Sequence, residues 1–135
     1  MSIELEKNAP IHAYQAYIHA LEKLHGWLDT DLVHNCFLMG EEVGELFKAV
    51  RQYNRYYTES QHAPEATTEA SARDEARGAD EASERNAAAG KAAIAEEIVD
   101  VLNYLIALAN RLDIDLEEAF RTKNHRNQQR TWQQS

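Results

Sequence analysis

Apolar residues recur along this chain at steps of three and four, the period of an α-helix that buries one face. Ile11, Tyr14, Ile18, Leu21 and Leu28 form the first such stripe, and Pro10 marks the start of its helix. Gly26, between His25 and Trp27, is placed to terminate it. Asp29, Thr30 and Asp31 then offer caps for a second helix, whose stripe is Cys36, Met39, Val43, Leu46, Val50 and Tyr53. A third stripe runs through Ile94, Ile98, Val101, Leu105, Leu108 and Leu112. Leu102, Ile106 and Ala109 widen it, so this helix is expected at the centre of the fold. Asp113 or Asp115 can cap a fourth helix, which opens with Leu116, Ala119 and Phe120 and turns polar toward Trp132. No stretch alternates with the period of a strand. The pattern predicts an all-α, four-helix, bundle-like fold.

Between the second and third stripes the pattern stops. From Thr58 to Gly90 there is no Val, Ile, Leu, Met, Phe, Trp, Tyr or Cys, and alanine mixes mainly with polar and charged residues. Such a stretch buries too little surface to offset its ordering entropy. Residues 58–90 therefore read as a long Ala/Glu-rich, low-complexity, flexible insertion between helices 2 and 3, in which alanine permits transient helix. A length of 135 residues suits a single domain, 1–135. The insertion's eight acids against three bases give −5 of the chain's net −9. That balance disfavours nucleic acid and anionic membrane surfaces as partners. Cys36 is the sole cysteine, so no internal disulfide forms, and its place on the apolar stripe predicts a buried thiol. Residues Met1 to Lys7 lack the apolar core of a signal peptide, and the run from Val101 to Ala109 is far too short to span a bilayer. A soluble, cytoplasmic protein is expected.

Charge patterning singles out two stretches. Glu41, Glu42 and Glu45 fall at about 0°, 100° and 40° around the second helix, and Glu96, Glu97 and Asp100 repeat those angles on the third. Each acidic arc borders an apolar stripe, where a merely solubilising face would lie opposite. Like charges three and four residues apart cost helix stability, so something should offset them. If the arcs face each other, their clustered oxygens suit Mg²⁺ or Mn²⁺, and the absence of Cys and His argues against zinc. If they face water, they are surface charge.

Further features bear on that choice. Lys123, Asn127 and Arg130 lie within about 60° of one another on the fourth helix, a stripe of cations and an amide donor apt for phosphate oxygens, or for the helix's own C-terminus. Gly40 and Gly44 each cost a helix roughly 1 kcal/mol against alanine, which close approach of another helix or room for a ligand would explain. Glu22-Lys23-Leu24-His25 and Glu59-Ser60-Gln61-His62 supply the Glu-x-x-His of di-iron bundles, but neither acid arc carries a histidine in register.

Taken in order, Gly26-Trp27, the run Gly40-Glu41-Glu42-Val43-Gly44-Glu45-Leu46-Phe47-Lys48-Ala49-Val50, Glu96-Glu97-Ile98-Val99-Asp100-Val101 and Lys123, Asn127, Arg130 with Trp132 resemble the MazG-like all-α nucleoside triphosphate pyrophosphohydrolases. The resemblance implies a MazG-type fold and Mg²⁺-dependent hydrolysis, with Mn²⁺ as a substitute, between the α and β phosphates of a nucleotide substrate. It implies that Glu42, Glu45, Glu97 and Asp100 are metal ligands. Glu41 and Glu96 would support them or orient water, and Lys123, Asn127 and Arg130 would contact phosphate or sugar. It further implies a homo-oligomer, dimer or tetramer. Where family members join the acid motifs by a short connection, this chain has Thr58 to Gly90. Phosphoribosyl-ATP pyrophosphohydrolase is a rival activity within the same superfamily. A non-catalytic helical module that binds metal or protein is the rival outside it.

Overall fold

A computed structural model describes residues 3–61 and 71–130 of the chain. They form α1 (Ile11–His25), α2 (Leu32–Gln61), α3 (Ser71–Arg111) and α4 (Leu116–Gln128), with no strand among the described residues. The all-α, four-helix expectation holds.

The helix ends follow the local chemistry. Pro10 precedes α1, and Gly26 closes it with φ 73°, a left-handed conformation that costs glycine no Cβ clash. Asp31 caps α2 by accepting from the backbone N–H groups of Val33 at 2.7 Å and His34 at 3.2 Å. Asp115, the second of the two capping candidates, caps α4 by accepting from Glu118 N at 3.1 Å. Glu117 and Glu118 occupy that helix's first turn, at its positive end.

The insertion carries more helix than a plain loop. α2 continues to Gln61 and α3 begins at Ser71, about twenty residues before its apolar stripe, so helix replaces loop over the described part of 58–90. Residues 62–70 lie outside the described residues. Alanine is the strongest helix former, and helix needs no buried face when propensity is high and it extends an existing nucleus.

The structure divides into two compact units, residues 1–38 with 102–135, and residues 39–101. In the first, Ile18, Ile106 and Ala107 are the buried core, with Tyr17, Leu21 and Leu116 packed on it. Expected stripe positions Ile11, Tyr14, Leu28, Leu105 and Leu112 are exposed, as is the Cys36 thiol that was expected to be buried. On α3 the buried line is Ile106, Ala107 and Ala109, beside the strongest apolar stripe and not along it. Periodicity marks an apolar face without saying whether the same chain covers it. In the second unit Ala49 is buried, and Gly90 lets Tyr53 approach so closely that a Cβ there would lie 2.8 Å from the ring. Gly40 and Gly44 have nothing within 4 Å of where a Cβ would stand, so close helix approach does not explain them within the described chain.

The polar anchor of the first unit is Arg111, at the end of α3. Its Nη1 donates to Glu22 Oε1 of α1 at 2.7 Å, Nη2 donates to Trp27 O at 2.9 Å, and Nε donates to Thr30 O at 3.2 Å. With its amide oxygen toward the guanidinium, Asn35 of α2 accepts from it at 2.9 to 3.0 Å. Nearby, Gln15 reads the α3–α4 turn: its Nε2 donates to Ile114 O at 2.8 Å and its Oε1 accepts from Leu116 N at 3.1 Å. Glu22 is only 7% exposed, so removing its cation strands a buried carboxylate. Arg111→Met is expected to cost about 3 kcal/mol or more in urea unfolding. Adding Glu22→Gln to it should restore part of that loss, because no uncompensated charge then remains. A single variant within 0.5 kcal/mol of the parent would show that the network is dispensable.

Candidate metal site

The acidic arcs belong to the second unit, on α2 and α3. Glu42 lies level with Glu97 and Asp100, while Tyr53, further along α2, meets Gly90, earlier on α3. Contacts that run in opposite order along the two helices make this pair antiparallel. The reversed directions bring the middle acid of the first motif against the second and third acids of the other.

Glu42, Glu97 and Asp100 each offer a carboxylate oxygen, and these atoms all lie within 4.8 Å of one another. Glu42 and Glu97 are half-buried and Asp100 is exposed. Glu45, the fourth expected ligand, is not in this group. Its Oε2 accepts from Lys48 Nζ at 3.1 Å, one turn further along α2. Glu41 and Glu96 are exposed on the flanks of the two motifs. Partial burial, and then the negative charges of Asp100, Glu97, Glu41 and Glu45, raise the Glu42 carboxyl above the usual carboxylate range.

An all-oxygen set of this kind fits a hard divalent ion such as Mg²⁺ or Mn²⁺, which takes a few carboxylates and keeps other positions for water or phosphate. Soft-metal ligands play no part: Cys36 is exposed in the other unit, and His12, His19, His25, His34 and His125 are exposed. Glu22, half of one Glu-x-x-His candidate, is instead bound to Arg111. The other candidate, ending at His62, reaches outside the described residues.

The basic stripe lies on α4, in the first unit. Lys123 is exposed, Asn127 is half-buried, and Arg130 follows the helix end with its N–H donating to Asn127 O at 3.2 Å. Trp132 lies outside the described residues. Two partners escaped the sequence reading, Arg111 and Lys48. Glu22 carried a signal for the first, since an acid one turn beyond Ile18 on an apolar face calls for a buried cation. Lys48 carried one for the second, three residues after an acid in a crowded arc.

A carboxyl whose folded pKa lies above its unfolded one opposes folding when ionised. The penalty is full at neutral pH and fades as pH falls through the raised value toward the ordinary 4.5. In EDTA, Glu42→Gln should therefore raise the melting temperature at about pH 7.5, and the gain should vanish near about pH 4. Calorimetry at both pH values checks this, and a lower melting temperature for the variant at neutral pH contradicts it.

No curated protein and no solved structure matches the chain. The sequence profile of the MazG nucleotide pyrophosphohydrolase domain matches residues 35–133, which takes in both acidic motifs and the basic stripe. With that match across well over half its length, the chain belongs to the MazG nucleotide pyrophosphohydrolase domain family.

Proposed function

We propose that this protein is a divalent-metal-dependent hydrolase that cleaves a nucleoside or deoxynucleoside triphosphate between its α and β phosphates, releasing a monophosphate and pyrophosphate. The observation that carries the reading is the convergence of Glu42, Glu97 and Asp100 within a domain of this family. These three residues, joined by Glu45, would hold Mg²⁺, with Mn²⁺ as a substitute. The ion supplies neutralising charge for phosphate oxygens and acidifies water.

The chain's own groups supply the rest. Glu41 and Glu96, exposed beside the cluster, orient the attacking water and accept its proton. Lys123, Asn127 and Arg130 bind phosphate or sugar oxygens, where a guanidinium offers paired donors and an ammonium a point charge. No side-chain nucleophile is required.

The protein works as a homo-oligomer. Phe37, Phe47, Ile98, Val99 and Phe120 are half or more exposed, and among the described residues no large side chain is fully buried. Apolar surface on that scale is suited to a second copy of the same chain. No described helix is long and apolar enough to cross a membrane, and with a single cysteine the chain suits the cytoplasm.

Incubation with Mg²⁺ and a panel of triphosphates, phosphoribosyl-ATP included, should yield monophosphate and pyrophosphate from at least one of them. Glu97→Gln and Asp100→Asn should each lower kcat/KM by at least the roughly 10- to 100-fold that changes in groups supporting a metal ligand cost. Undiminished turnover in both variants, or no turnover across the panel, would falsify the assignment. Turnover confined to phosphoribosyl-ATP would identify the narrower activity.

A further inference from the structure

Glu45 occupies a divided position. At about 100° per residue, it stands about 60° around α2 from Glu42 on one side and about 60° from Lys48 on the other, one turn from each. Its carboxylate is thus within reach of two competing cations, a metal ion at the cluster and the Lys48 ammonium. The ammonium holds it, at 3.1 Å, while Glu42, Glu97 and Asp100 gather without it.

We propose that Lys48 is a built-in competitor for Glu45, so that Glu45 joins a bound divalent ion only by releasing this ammonium, and Lys48 thereby sets the affinity of the ion Glu45 ligates. The inference rests on the metal-site reading above and extends it to a residue outside the acidic motifs. The side chains of Lys48 and Glu45 are 53% and 54% exposed, and an ion pair so exposed is weak. Weakness is what the role requires. A buried pair would lock Glu45 away, whereas an exposed one is displaced by a doubly charged ion and still lowers that ion's apparent affinity. The ammonium also offsets part of the repulsion among Glu41, Glu42 and Glu45 when no ion is bound.

The test is Mn²⁺ binding by titration calorimetry on the full chain, for the parent, Lys48→Met, Glu45→Gln and the double variant, with circular dichroism confirming helix content. Lys48→Met should bind Mn²⁺ roughly two- to fivefold more tightly, as expected for loss of an exposed pair. In the Glu45→Gln background the same change should have little effect, because the competition has gone. That non-additivity separates exchange at Glu45 from the general field of a nearby positive charge, which would tighten binding equally in both backgrounds. Equal tightening, or none in Lys48→Met, overturns the proposal. Failure of the underlying site looks different: Glu42→Gln and Glu97→Gln would then leave the Mn²⁺ isotherm of the parent unchanged.

Discussion

Three carboxylates within 4.8 Å of one another repel, and the structure around them is legible as what that repulsion requires. Each motif already crowds its own helix with like charge, and the antiparallel pairing of α2 and α3 adds the second crowd to the first. The Glu42 carboxyl is raised first by its partial burial and then by that repulsion. The Lys48 ammonium beside Glu45 offsets part of the same repulsion. In the proposed function a divalent ion would remove that repulsion at its source. A cluster that is costly when empty would then bind its ion with part of the work already done, which is what preorganisation means for a metal site.

Arg111 and Glu22 show the opposite use of charge. There the acid is buried, the cation sits at 2.7 Å, and the remaining guanidinium donors end on carbonyl oxygens of Trp27 and Thr30 and on Asn35. Every partner is fixed by the fold, so the pair can position α1, α2 and α3 and do nothing else. Among the described residues, no cation pairs with the carboxylates of Glu42, Glu97 and Asp100. A structural ion pair closes its valences, whereas a binding site leaves them open.

The sequence disclosed the elements well where a local rule governs them. Gly26, Asp31 and Asp115 end or cap helices because backbone N–H and C=O groups at helix ends need partners that neighbouring residues supply. The acid spacing likewise marked the two arcs that meet at Glu42, Glu97 and Asp100, while leaving open whether they face each other, since helical angle fixes a direction around one helix and not its neighbour. It did not place Glu45, because angle does not fix a rotamer, and a flexible carboxylate follows the nearest cation. The stretch before Lys91 lacks large apolar residues, yet alanine favours helix, so composition alone does not separate loop from helix there.

Burial was the least legible quantity, and the reason bears on function. The stripe through Cys36, Met39, Val43 and Val50 is apolar by any count, yet Cys36 and Val50 are exposed. So are Ile98 on α3 and Phe47, which flanks the stripe on α2. A hydrophobic period records that a face is covered in the working protein, not by which chain. The carboxylates of Glu42, Glu97 and Asp100, by contrast, gather within a single pair of helices of one chain. The apolar faces exceed what that chain covers, and it is on this surface that the proposed association rests. Helical angle is a property of the residues themselves, whereas coverage of an apolar face depends on neighbours that a period does not name, which is why the acidic arcs were legible in the sequence and the burial was not.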